Sequence, residues 1–262
     1  MLLCACSSSP ITGDAGADAS SDVVVAQTFS PQALDDAGRL ALWLDATSAR
    51  VSLGSGTSVS TWSDRSKNHN DAVGFGPLPL LEPSVVAGHD AVWFNSTDAA
   101  LRIADAASIE LGTTPFVLIA VTRVRVPQMF WFQKTDAIVE GGSVFLGLEL
   151  FSSGGGAIGL VDTGGDSIGP STTLDDGKFH ILQFRRTGAL LELAVDDTPP
   201  QQQAVDPIDV SAIGQPVFIG APPQTPPPNT PDLEIAEELV IRDALDSDAT
   251  NVHAYLKQKY SL

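Results

Sequence analysis

The chain has 262 residues, 43% of them apolar, and a formal charge of -18 from 32 acidic against 14 basic side chains. This composition supports a real core and excludes a wholly disordered chain. The charge, uninterrupted by any Lys/Arg cluster, repels phosphate backbones and anionic lipid headgroups and so argues against nucleic acid as a partner. The same excess favours bound cations, calcium foremost, although solubility accounts for most of the carboxylates.

Both cysteines, Cys4 and Cys6, stand in MLLCACSSS, so no disulfide or cysteine-based zinc site can form downstream. Leu3-Cys4-Ala5-Cys6 resembles a bacterial lipobox, which implies lipidation at Cys6. Only five residues precede Cys6, short of the apolar stretch of about 7–15 that a signal peptide needs, so residues 1–6 read as a partial one. With Ser7 following, the resemblance implies an outer-membrane or cell-surface lipoprotein held by lipid alone, secretion being the alternative. Residues 7–29 are rich in Ser, Ala, Gly and Asp and read as a flexible tether. Ser30 then offers a cap and Pro31 a first helical position for a short helix leading into a domain spanning 30–262.

From Leu40 the hydrophobic period becomes two. LALWLDA, VSTWS, AVWFN, LRIA, PFVLIAVTRVRV, SVFLGLEL, GAIGLV, KFHILQFRR, ALLELAVD and PVFIG give ten candidate strands separated by Gly, Asn, Asp and Pro. Many short strands without alternating helices specify an all-β fold, a two-sheet antiparallel jelly-roll sandwich. Thr187-Gly188 reads as a tight hairpin turn, and PPQTPPPNTP at 222–231 as a surface loop. Asp246 or Ser247 caps a closing helix whose Ala249, Val252, Leu256 and Tyr260 share one face. No apolar run approaches the roughly 20 residues of a membrane helix.

From Leu40 to Leu262 several stretches in order resemble the concanavalin A-like lectin/glucanase superfamily, in particular bacterial laminin G-like jelly-roll domains. They are LALWLDATSARV with VSTWSDRSKNHNDAV, HDAVWFNSTDAALRI, LDDGKFHILQFRRTGALLELAVDD, PVFIG and IAEELVIRDALDSDATNVHAYLKQKYSL. The resemblance implies the sandwich. It leaves function open, because one fold carries lectins, glycosidases and adhesive modules.

The chemical motifs fail on context. Asp64, Ser66, Asn68 and Asn70 fall at the spacing of a calcium-binding EF-hand loop, but His69 stands where glycine is required and Phe75 where a bidentate glutamate is required. TWSDRSKNHNDA therefore reads as a turn joining two early strands. GDSIG at 165–169 matches a nucleophile elbow, yet Pro170 follows where the elbow needs a helix. No Glu-x-Asp-x-x-Glu run of the laminarinase kind appears. In LEIAEELVI, period two places Glu234, Ala236 and Glu238 on one face and Glu237 opposite, as a structural acid. The scattered His69, His89, His180 and His253 form no zinc-hydrolase pair.

These readings point to a non-enzymatic recognition module that binds glycan or a surface protein through loops and a concave sheet face. A divergent glycoside hydrolase and a structural cell-envelope protein are the alternatives. The ligand-face candidates are Trp62, Asp64, Asn68, Phe130 and Trp131, because a tryptophan beside a carboxylate can hold a sugar ring and MFWFQ puts aromatics on both faces of a strand. No cofactor is called for beyond calcium.

Overall fold

The computed structural model describes residues 29–47, 50–125, 130–135, 146–153, 156–162, 167–169, 173–206, 209–220 and 232–262. The lipobox, nearly all of the tether and the proline-rich 222–231 loop lie outside them. The described residues form two antiparallel sheets and two α-helices.

The strands, in chain order, are β1 (Leu40–Asp45), β2 (Val51–Leu53), β3 (Val59–Trp62), β4 (Ala72–Phe75), β5 (Leu80–Val86), β6 (His89–Phe94), β7 (Ala100–Ile103), β8 (Phe116–Val124) and β9 (Phe130–Thr135). They continue with β10 (Leu146–Ser153), β11 (Gly156–Asp162), β12 (Ser167–Ile168), β13 (Phe179–Thr187), β14 (Leu190–Val195), β15 (Gln201–Ala204), β16 (Val217–Gly220) and β17 (Leu233–Arg242). The first sheet runs β15-β14-β13-β8-β17-β6-β5, with β1 also paired to β17. The second runs β12-β11-β10-β9-β16-β7-β4-β3-β2. All ten expected strands fall on strands here. β5, carrying Pro83, was not foreseen; it lies at a sheet edge, where a missing N–H costs no ladder bond.

Inward-facing residues of both sheets interdigitate into one core that includes Leu42, Leu44, Trp62, Leu101, Phe116, Trp131, Phe184 and Val240. A second cluster covers the outer face of the first sheet. There Leu34 of α1 (Gln32–Asp36) and Val252, Leu256 and Tyr260 of α2 (Asp246–Tyr260) pack on Trp43, Ile119, Ile181, Leu239 and Ile241. Each such side chain contributes about 1.5–3 kcal/mol on leaving water, which is how a domain without disulfides holds. Helix α2 begins one residue before expectation: Leu245 is its cap residue, and the Asp248 carboxylate accepts the Leu245 N–H at 2.8 Å. Pro31 is the cap residue of α1, with Ser30 Oγ accepting the Gln32 N–H at 3.3 Å.

β17 departs from simple alternation. A bulge between Ile235 and Glu237 shifts its register against β8, so Leu233, Ile235 and Val240 face the core while Ala236, Leu239 and Ile241 face the helices. Counting by twos across a one-residue bulge assigns faces wrongly beyond it. Glu234 and Ala236 thus do not share a face with Glu238. Glu238 is completely buried, neither oxygen has a hydrogen-bond partner, and burial pushes its pKa up to about 8, so it is neutral at pH 7.

Candidate functional site

The TWSDRSKNHNDA segment is a loop, residues 63–71, between β3 and β4. Its centre is the buried Asp64. One carboxylate oxygen accepts the N–H groups of Trp43 and Ser66, both at 2.9 Å; the other accepts Ser66 Oγ at 2.7 Å and the Asn70 N–H at 2.8 Å. Both oxygens are therefore taken by protein donors rather than open to a cation or sugar. Asn68 likewise turns inward and donates to Leu40 O at 2.7 Å.

Burial corrects the aromatic candidates. Trp62 and Trp131 are 0% exposed and lie in the core between the sheets, and Trp131 Nε1 donates to Thr122 Oγ1 at 2.7 Å. A side chain with no accessible surface cannot stack on a ligand. Phe130 opens β9 opposite Phe151, and its side chain lies outside the described residues. Ser167 of the GDSIG stretch sits in β12 against β11, on a strand and not at an elbow; residues 165, 166 and 170 lie outside the described set. Among the described residues no three His, Cys, Asp or Glu side chains come together as a metal set.

Two other arrangements carry chemistry. The first joins Asp105 and Glu110 to Lys134 of β9. The lysine is 2% exposed, and its ammonium lies 2.7 Å from Asp105 Oδ1, 3.1 Å from Glu110 Oε1 and 2.7 Å from the Gln215 carbonyl. Burial, then the bond to Asp105, raises the Glu110 pKa to about 7, while the bonds from Glu110 and Lys134 lower that of Asp105 to about 2. One proton is shared across the carboxyl pair, as expected for acids in contact. Because the Glu110 pKa is raised from 4.5 to about 7, the folded protein keeps a proton that the unfolded chain releases. That contribution is full below about pH 4.5 and is lost as pH rises through about 7. Denaturation at a series of pH values should show wild type losing stability relative to Glu110→Gln across this window; a constant difference would mean that no proton is shared.

The second is a groove of about 270 Å³ on the outer face of the first sheet, beside α2. Strands β13 and β14 supply Gln183, Arg185 and Ala194, the turn after β14 supplies Asp196, Asp197 and Thr198, and α2 supplies Thr250 and His253. Period two places Gln183 and Arg185 on the face shared with Phe179 and Ile181. The turn is fixed from three sides. His180 Nδ1 lies 2.7 Å from Asp196 Oδ2 while its Nε2 lies 3.0 Å from Asp176 Oδ1. Asp196 Oδ1 also accepts the Ile181 N–H at 2.8 Å, and Asp197 pairs with Lys257 and, at 3.3 Å, with His253. The Asp196 bond, with help from Asp176 and against burial, raises the His180 pKa. For Asp196, burial is outweighed by its bonds from His180 and Ile181, and its pKa falls. The His180 step and the aspartate turn are visible in LDDGKFHILQFRRTGALLELAVDD, but the helix wall comes from over fifty residues further on.

No family model and no curated protein matches the sequence. Solved structures do match. The binding domain of Paraclostridial Mosquitocidal Protein 1 superposes with TM-score 0.62 at 12% identity, covering 85% of this chain and 53% of that one. Botulinum neurotoxin type C, whose cell entry depends on interaction with two ganglioside molecules, gives 0.60 at 12%, covering 87% and 53%. Trypanosoma rangeli sialidase in complex with sialic acid gives 0.57 at 16%, covering 85% and 33%. The fold they share with this chain is an antiparallel β-sandwich. This chain spans about half the length of the first two relatives and a third of the sialidase.

Proposed function

We propose that this protein is a non-enzymatic carbohydrate-recognition module of laminin G-like type, displayed at a bacterial surface through lipid on Cys6. The observation that carries the reading is the groove on the first sheet. It is close to the roughly 300 Å³ lower end of small-ligand sites and offers hydroxyl, amide and guanidinium groups at fixed positions on strands and a helix. The folds it resembles include proteins described as interacting with gangliosides and sialic acid. A groove of this kind favours recognition over a purely structural envelope role.

A glycan-array screen with calcium and then with chelator, recording released reducing sugar, tests this. Saturable binding without turnover is expected, and it should fall at least about tenfold in Thr250→Trp, which fills the groove from an exposed helix position. Turnover, or binding untouched by that substitution, would overturn the reading. Fatty-acid labelling of expressing cells, lost in Cys6→Ala, tests the anchor; labelling that survives the substitution removes Cys6 from the account.

A further inference from the structure

The hydrogen-bonding groups that the groove leaves free are unequal in kind. Its two carboxylates are both engaged: Asp196 by His180 and the Ile181 N–H, Asp197 by Lys257 and His253. Arg185, by contrast, is ion-paired through its Nε with Glu192, and among the described residues no hydrogen bond or ion pair reaches its two terminal nitrogens, the Gln183 amide or the Thr250 hydroxyl. A guanidinium held through Nε and open along its outer edge matches the two oxygens of a carboxylate in parallel bonds.

We infer that the groove selects a sugar bearing a carboxylate, such as a hexuronic acid unit, with Arg185 on the carboxylate and Gln183 and Thr250 on ring hydroxyls. The inference rests on the carbohydrate reading above and names the ligand class of the same site. The protein's charge of -18 does not forbid it, because exposed charges beyond a Debye length of about 8–10 Å are screened. The local balance matters more. Asp176, Asp196, Asp197 and Glu192 face Arg185, Lys257, His180 and His253, with the exposed Lys178 on Asp176. Loss of the His180 proton moves the local sum away from favouring an anion. His180 can also donate to both Asp176 and Asp196 only with a proton on each ring nitrogen. Loss of that proton releases one carboxylate and adds negative charge beside the groove.

Isothermal titration of the full chain with methyl glucuronide and with methyl glucoside separates the possibilities. Near pH 5.5, in the protonated range of histidine, the glucuronide should bind at least about tenfold more tightly, and its advantage should shrink at about pH 8.5. Arg185→Gln should level the two affinities. His180→Gln should flatten the pH dependence of the glucuronide, a readout that groove blockage alone does not predict. Equal affinities in the wild type overturn this inference and leave the carbohydrate reading standing. No binding of either sugar, alongside a silent glycan array, overturns both.

Discussion

Replacing Glu237 by alanine lowers the free energy of unfolding by about 3–5 kcal/mol, the range for removing one partner of a buried ion pair. The carboxylate lies on the helix-covered face of β17 and is 0% exposed. One oxygen accepts Trp43 Nε1 at 2.6 Å and the Tyr255 hydroxyl at 3.2 Å. The other accepts the Lys259 ammonium at 2.6 Å and the Tyr260 hydroxyl at 2.9 Å. Lys259 continues to Asp45 at 3.0 Å, which also pairs with Arg65, whose guanidinium lies 4.0 Å from the Trp43 ring centroid. Burial, and then the carboxylates of Glu237 and Asp45, raise the pKa values of both tyrosines, which keeps them as donors. Alanine leaves Trp43 Nε1 and the Tyr255 hydroxyl without an acceptor, Tyr260 with only the Ala236 carbonyl at 3.4 Å, and Lys259 with Asp45 alone. Glu237→Gln retains the size and one acceptor oxygen, so it should cost less. Urea denaturation of both variants checks this, and an alanine variant within about 1 kcal/mol of wild type would show the network to be incidental.

Asp64→Ala should cost about 3–4 kcal/mol, because hydrogen bonds to a charged acceptor are each worth roughly 1.5–3 kcal/mol and do not add fully. The side chain receives four bonds, from three backbone N–H groups and one hydroxyl. One of those N–H groups belongs to Trp43 of β1, so the loop between strands of the second sheet is tied to the first. Asp64→Asn turns an amide NH₂ towards some of these donors and should also destabilise. Thermal and urea unfolding measure the loss. If instead Asp64→Ala kept wild-type stability and lost glycan binding, Asp64 would be a ligand contact and the structural account would be wrong.

The sandwich was legible because the alternation in KFHILQFRR and the short continuous apolar run in PFVLIAVTRV are local strand signals that tertiary packing reinforces. The faces of β17 were not, since nothing in LEIAEELVI marks where the bulge falls. The aromatic candidates failed for a related reason. Sequence shows that Trp62 and Trp131 lie on strands but not which side faces the second sheet, and both face inward. The groove was only half legible. Asp196, Asp197 and His180 stand out as a turn and a strand start, whereas Thr250 and His253 read as helix surface until α2 is docked. The Lys134 cluster has no local signature at all, because Asp105 and Glu110 join β9 only through the pairing of β7 and β9 to β16.

The position of β17 has a consequence for biosynthesis. It follows every other strand in the chain, yet it bonds to β8 on one side and to β6 and β1 on the other. A nascent chain that ends before residue 233 carries the first sheet in three unconnected pieces, β15-β14-β13-β8, β6-β5 and the lone β1, with bare strand edges over apolar faces. Such edges are templates for pairing with other chains. Until β17 is released to bridge them, this protein depends on whatever shields these pieces from one another and from neighbouring copies.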